Sequence, residues 1–220
     1  MVVKLFILGL PGSGKSGAVL HISDFMRGHR WIVQYFKDYD ILYEMYKEDN
    51  EGKRFRSTKT SGYDGFDVLD FSAPDEALEK LERKVSWRQK PADSEKDLII
   101  IEFSRVDYCK ALNFFASHLD QDAHILFIDA DITTCKRRIK NRVDHPKTTD
   151  DHYVSEYIFT AYYEQDHRDY ANQVAAQLNA QFSIGNENIQ VIYNGSTVTE
   201  QQFYDNVRVF TENILLLDFM

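Results

Sequence analysis

Apolar positions fall along this chain in short β-branched runs separated by stretches of helical spacing, and that alternation predicts its architecture. Val2-Val3-Lys4-Leu5-Phe6-Ile7-Leu8 is a run of the kind a buried parallel strand needs. From Ser16 onward Ala18, Ile22 and Phe25/Met26 recur at helical spacing, with Val19 beside them. Trp31-Ile32-Val33-Gln34-Tyr35-Phe36 reads as a second strand ending at Lys37-Asp38-Tyr39-Asp40. A helix with Ile41, Leu42, Met45 and Tyr46 on one side follows it. Asn50 to Gly65 is polar, glycine-punctuated and rich in Arg and Lys, which is loop composition. Pro74 opens a charged helix running towards Gln89, and Pro91-Ala92-Asp93-Ser94 breaks it.

In the second half, Leu98-Ile99-Ile100-Ile101 is the most strand-like run of all. A helix through Ala111, Leu112 and Phe115 leads to another strand, His124-Ile125-Leu126-Phe127-Ile128. Beyond Asp129 comes a basic helix to about Val143, then a polar segment, Asp144 to Asp151, then one long helix from Tyr153 to Phe182. The last strand is Ile189-Gln190-Val191-Ile192-Tyr193. The last helix begins after Thr199, where Thr199 with Gln202, or Thr197 with Glu200, fits a capping box. Strands alternating with helices imply an α/β fold, a parallel sheet with helices on both faces.

Between the first strand and the first helix lies Gly9-Leu10-Pro11-Gly12-Ser13-Gly14-Lys15-Ser16, which fits the phosphate-binding pattern G-x-x-x-x-G-K-[ST]. Gly9, Gly12 and Gly14 allow backbone N–H groups to converge on one anion. Lys15 adds an ammonium for the β- and γ-phosphates, and the Ser16 hydroxyl can ligate Mg²⁺. The helix that continues through Gly17 turns its positive end towards the same point. Strand, loop and helix in that order predict a nucleotide site rather than an ordinary glycine turn.

Composition narrows the partners. The 220 residues suit one domain, and 26 Lys and Arg against 35 Asp and Glu give a formal net charge of −9. Such an acidic whole argues against nonspecific nucleic-acid or membrane binding. No stretch approaches the length of a membrane span, and the first strand begins at the N-terminus without a visible signal peptide. Cys109 and Cys135 are isolated and lack metal-site spacing, so a reducing cytoplasm is the expected compartment. The oligomeric state is not legible.

The phosphate loop after the first of five strands, closed by a final helix, resembles the P-loop kinase superfamily, which includes nucleotide, deoxynucleoside, shikimate and gluconate kinases. The resemblance implies a three-layer P-loop fold with strand order 2-3-1-4-5 and ATP and Mg²⁺ as cofactors. It also implies a single domain over 1–220, with an acceptor-binding arm at 50–66 and a lid at 143–152. Other P-loop classes fit less well. The guanine-reading N-K-x-D and the transporter S-G-G-Q signature are absent, and Asp49-Asn50-Glu51-Gly52 matches D-x-x-G only in a polar loop.

Further candidates follow from that layout. Asp38 and Asp40 sit where shikimate-type kinases place an Asp on the acceptor hydroxyl, and helix capping is the alternative for either. Glu102 stands where the superfamily places an acid for magnesium or for base catalysis, although relatives often carry Asp or D-G-x-P-R there. Arg105 lies three residues on, a substrate contact or a surface arginine. On the helix that carries Lys136-Arg137-Arg138-Ile139-Lys140-Asn141-Arg142, Ile132, Cys135, Ile139 and Val143 form the apolar stripe. Arg138 and Arg142 share one flank of it, as at the base of a kinase lid, against the alternative of a solvated basic face.

Lys53, Arg54, Arg56 and Lys59 form a second basic cluster, placed where Arg54 and Arg56 can bind an acceptor phosphate. Tyr63, Phe66 and Phe71 nearby can stack on a base or pack in the core. Asn194-Gly195 matches the backbone around adenine in relatives, or a plain turn. The expected activity is phosphate transfer from ATP to a small-molecule acceptor, a nucleoside or nucleotide foremost. A non-nucleotide alcohol and an ATP-binding regulatory protein are the alternatives.

Overall fold

The apolar run at the N-terminus forms strand β1 (Val2–Leu8), and the sheet is assembled around it. The structure is a computed structural model and describes residues 1–60, 63–92, 95–120, 123–144, 153–163, 170–182 and 184–216. In chain order α1 (Lys15–Gly28), β2 (Ile32–Lys37) and α2 (Asp38–Glu48) come first. A hairpin of β3 (Phe55–Thr60) and β4 (Tyr63–Val68) follows, then α3 (Ala73–Ser86) and β5 (Asp97–Phe103). The rest is α4 (Tyr108–Asn113), β6 (Ala123–Asp129), α5 (Ile132–Asp144), α6 (Glu156–Tyr162), α7 (Tyr170–Phe182), β7 (Ile189–Tyr193) and α8 (Glu200–Leu216).

The main sheet is wholly parallel and runs β2-β5-β1-β6-β7. Numbered among themselves, its five strands stand in the order 2-3-1-4-5, as the resemblance implies. Side chains alternate across it with period two. Val3, Leu5 and Ile7 pack with Leu98 and Ile100 against α1 and α8, through Ala18, Ile22, Phe203 and Val207. Phe6 and Leu8 pack with Ile99, Ile101 and Phe103 against the other layer, through Ile41, Leu78, Leu112 and Leu178. Both faces are covered, which is why the strands read as continuous apolar runs.

The structure revises the sequence reading in two places. The Asn50–Gly65 stretch is no plain loop, because Phe55–Thr60 and Tyr63–Val68 pair antiparallel. Polar residues occupy most of β3, and Arg56 stands opposite Asp67, so the strand lacks the apolar alternation that would announce it. The helix expected over Tyr153–Phe182 is two helices. Ser155 caps α6, accepting from the Ile158 N–H at 3.3 Å, and α6 ends at Tyr162 with Tyr163 as its cap. At α8 the capping box is the Thr199–Gln202 one. The Gln202 N–H donates to the Thr199 hydroxyl at 3.2 Å, and the Thr199 N–H to the Gln202 amide oxygen at 3.0 Å. Of the expected lid, Val143 and Asp144 end α5, and 145–152 lie outside the described residues. Among the described residues no helix is long and apolar enough to cross a membrane.

Candidate functional site

The phosphate loop leaves the carboxyl end of β1 and feeds α1, and its glycines are where no side chain fits. Gly12 and Gly14 have φ of +81° and +112°. A Cβ on Gly12 would lie 2.6 Å from the Cys135 carbonyl oxygen, and one on Gly14 would lie 2.5 Å from Asn194 Nδ2. This is a cradle that fits a polyphosphate, because its wall is backbone. Distant elements pin it in place. The Ser13 carbonyl accepts from Asn194 Nδ2 at 2.7 Å and from Arg138 Nη1 at 3.2 Å, and Arg138 also donates to the Asn194 carbonyl at 2.8 Å. Thus Arg138 on α5 and Asn194 after β7, far apart in sequence, meet at the loop. Gly195 follows Asn194 at the turn into α8 and does not line the cavity described below.

Cys135 lies beneath this cradle, fully buried, and burial pushes its thiol up to about 12. Burial keeps the thiol protonated at pH 7 and out of reach of an alkylating reagent. Iodoacetamide should therefore leave Cys135 unmodified in the native protein and label it after unfolding in guanidinium. Native-state labelling of Cys135, read by peptide mass, would show that the cradle opens.

Lys15 is buried, and its ammonium donates to the Gly9 carbonyl at 2.9 Å, the Leu10 carbonyl at 3.0 Å and Ser104 Oγ at 2.7 Å. Glu102, the next-to-last residue of β5, places Oε1 3.9 Å from the Lys15 Nζ and accepts from the Tyr35 hydroxyl on β2. Burial lowers the Lys15 pKa, against the pull of Glu102 and Asp38. Burial likewise raises that of Glu102, against Lys15 and the Tyr35 hydrogen bond. Ser16, in the first turn of α1, is exposed towards the cavity.

Asp38 opens α2 without capping it: Lys37 is the cap residue, with no side-chain hydrogen bond. The Asp38 carboxylate turns instead to Arg105, and both are buried. Arg105 also donates to the Ser104 and Pro74 carbonyls, each at 2.6 Å, so one guanidinium ties β5 to the starts of α2 and α3. Burial works against its charge, but the Asp38 carboxylate, with Tyr162 and Tyr163, more than offsets this and raises its pKa. Arg105 is therefore not the surface arginine of the alternative reading.

Asp40 stands apart, with its side chain 58% exposed and 3.4 Å from Lys37 Nζ. Arg54 is engaged by Asp70 at 3.2 Å and Glu76 at 2.7 Å, and Arg56 by Asp67 at 2.8 Å and by the Tyr157 ring at 5.2 Å. Neither arginine lines the cavity.

A single cavity of about 420 Å³ runs from the phosphate loop to Asp38. Pro11, Gly12 and Gly14 to Gly17 line one end with Arg138 and Arg142. Asp38, Arg105, Tyr39, Phe66, Phe71 and Tyr162 line the other, with Glu102 and Ser104 among its walls. Tyr35, Ser104 and the cavity-lining Tyr162 and Tyr163 escaped the sequence reading. Ser104 alone left a signal, a hydroxyl just beyond the strand that carries Glu102.

No protein-family model matches the chain, and no curated protein matches it in sequence. Solved structures do match. One is Kti12 of Chaetomium thermophilum in complex with ADP-AlF3, with TM-score 0.53 and 13% identity over 96% of this chain and 97% of that one. A sugar kinase from Janibacter sp. gives TM-score 0.52 and 11% identity over 96% and 95% of the two chains. A putative kinase from Chloroflexus aurantiacus gives TM-score 0.52 and 11% identity over 94% and 97%. Sheet order, phosphate loop and these neighbours agree: the chain has the three-layer α/β fold of the P-loop kinases.

Proposed function

We propose that this protein is an ATP- and Mg²⁺-dependent kinase that transfers the γ-phosphate to a hydroxyl of a small acceptor of the nucleoside or nucleotide class. The observation that carries the reading is that the phosphate loop and the buried Asp38 carboxylate open onto one cavity. Backbone N–H groups of Gly12, Gly14 and Lys15 hold the β- and γ-phosphates, and Lys15, Arg138 and Arg142 gather positive charge around them. Ser16 and Glu102 would hold Mg²⁺, which when bound neutralises charge on the phosphate oxygens. Asp38, held by Arg105, orients the acceptor hydroxyl. It takes the proton as the hydroxyl oxygen bonds to phosphorus and the bond to the bridging oxygen of ADP breaks.

ADP release in a coupled assay, with acceptors supplied singly, tests this. Release should depend on the acceptor, and Asp38→Asn should lower kcat by about 10²–10⁴-fold while ATP affinity by calorimetry is retained. Hydrolysis indifferent to every acceptor, or full turnover by folded Asp38→Asn, would refute the assignment.

A further inference from the structure

We infer that the acceptor is an uncharged alcohol carrying a flat aromatic ring, a nucleoside rather than a nucleotide. This rests on the kinase reading and narrows it. The cavity is electrically divided. At its loop end Lys15, Arg138 and Arg142 line the cavity, with Glu102 3.9 Å from Lys15 and Asp38 also acting on the Lys15 charge. Arg142 lies near enough to Lys15 to act on its charge. That end holds the excess positive charge a polyphosphate needs.

At the far end the described charged residues are Asp38 and Arg105, one of each sign and bonded to each other. Arg105 Nη1 also donates to the Ser104 carbonyl and Nη2 to the Pro74 carbonyl; its buried Nε has no hydrogen-bond partner among the described residues, but the guanidinium charge is already answered by Asp38. An acceptor phosphate would instead lie beside the Asp38 carboxylate, like charge against like charge in a poorly solvated place. The arginines that could have answered it, Arg54 and Arg56, are held by Asp70, Glu76 and Asp67 off the cavity wall.

What this end does offer is ring surface. Tyr39 and Phe66 stack at 5.8 Å with planes 18° apart, and Phe71 meets Tyr162 at 5.3 Å. Such walls take a planar ring by stacking, with Asp38 left to accept from its hydroxyl.

The test is direct binding to the wild-type protein, in the presence of a non-hydrolysable ATP analogue. The common ribo- and deoxyribonucleosides and their 5′-monophosphates are compared by thermal shift and calorimetry. At least one nucleoside should bind about 100-fold or more tightly than its own monophosphate, the scale of a like-charge penalty at a desolvated site. Equal or tighter binding of the monophosphates, or no binding by any nucleoside, overturns the inference. If a nucleoside binds with that preference but releases no ADP from ATP, the inference stands and the kinase reading falls. Asp38→Asn, which leaves Arg105 uncompensated, should narrow the preference by about 10-fold or more in the same assay. An unchanged ratio in that folded variant would overturn the charge argument.

Discussion

Replacing Lys15 with alanine is expected to lower kcat by about 10²–10³-fold, the usual consequence of deleting one preorganised donor to developing charge. The far-ultraviolet spectrum should be unaltered, because Lys15 bonds to the loop carbonyls and Ser104 rather than to the sheet core. Arginine should not restore the rate. The three oxygens around the ammonium lie within 2.7–3.0 Å of a single point, which a planar fork cannot occupy. Steady-state kinetics with the acceptor saturating measures the effect. A correctly folded Lys15→Ala enzyme with wild-type turnover would remove the phosphate loop from the chemistry.

The largest loss of stability is expected from Arg105→Leu. It strands the buried Asp38 carboxylate and takes donors from the Pro74 and Ser104 carbonyls. Breaking a buried ion pair from one side costs about 3–5 kcal/mol. In a domain of this length that lowers the melting temperature by roughly 6–20 °C. Removing both charges, as Arg105→Leu with Asp38→Leu, should recover most of the loss, since an apolar pair of similar volume needs no compensation. Thermal melts of the two single variants and the double close the cycle. A single variant melting within a degree of wild type would show that the pair holds nothing together.

Much of the fold is legible in the sequence, for local reasons. A strand covered on both faces must be apolar throughout, so β1, β5 and β6 declare themselves, and the glycines between β1 and α1 mark where backbone approaches a ligand. Lys15 and Ser16 stand out through the phosphate-loop pattern, and Glu102 through where the resemblance puts an acid at a strand's end. Arg105 is harder, because its three partners come from α2, from the start of α3 and from its own neighbour Ser104. No local pattern reveals that such an arginine is buried. Arg54 and Arg56 show the opposite error. A run of cations looks like an anion site until Asp67, Asp70 and Glu76 fold back onto it. The end of α6 is hidden because no glycine or proline lies between Tyr153 and Phe182.

The placing of β1 at the centre of the sheet also sets an order of events during synthesis. Val2 pairs with Asp97 and Lys4 with Ala123, so β1, made before the sheet's other strands, has no partner until much later chain exists. At about 5–20 residues per second it waits several seconds for β5 and longer for β6. Meanwhile the β3–β4 hairpin, whose pairing is local, can form without it. An apolar heptapeptide left waiting is a sticky one, open to chaperones and to neighbouring copies on the same polysome. The residues that later anchor the phosphate loop are thus the ones the nascent chain must protect longest.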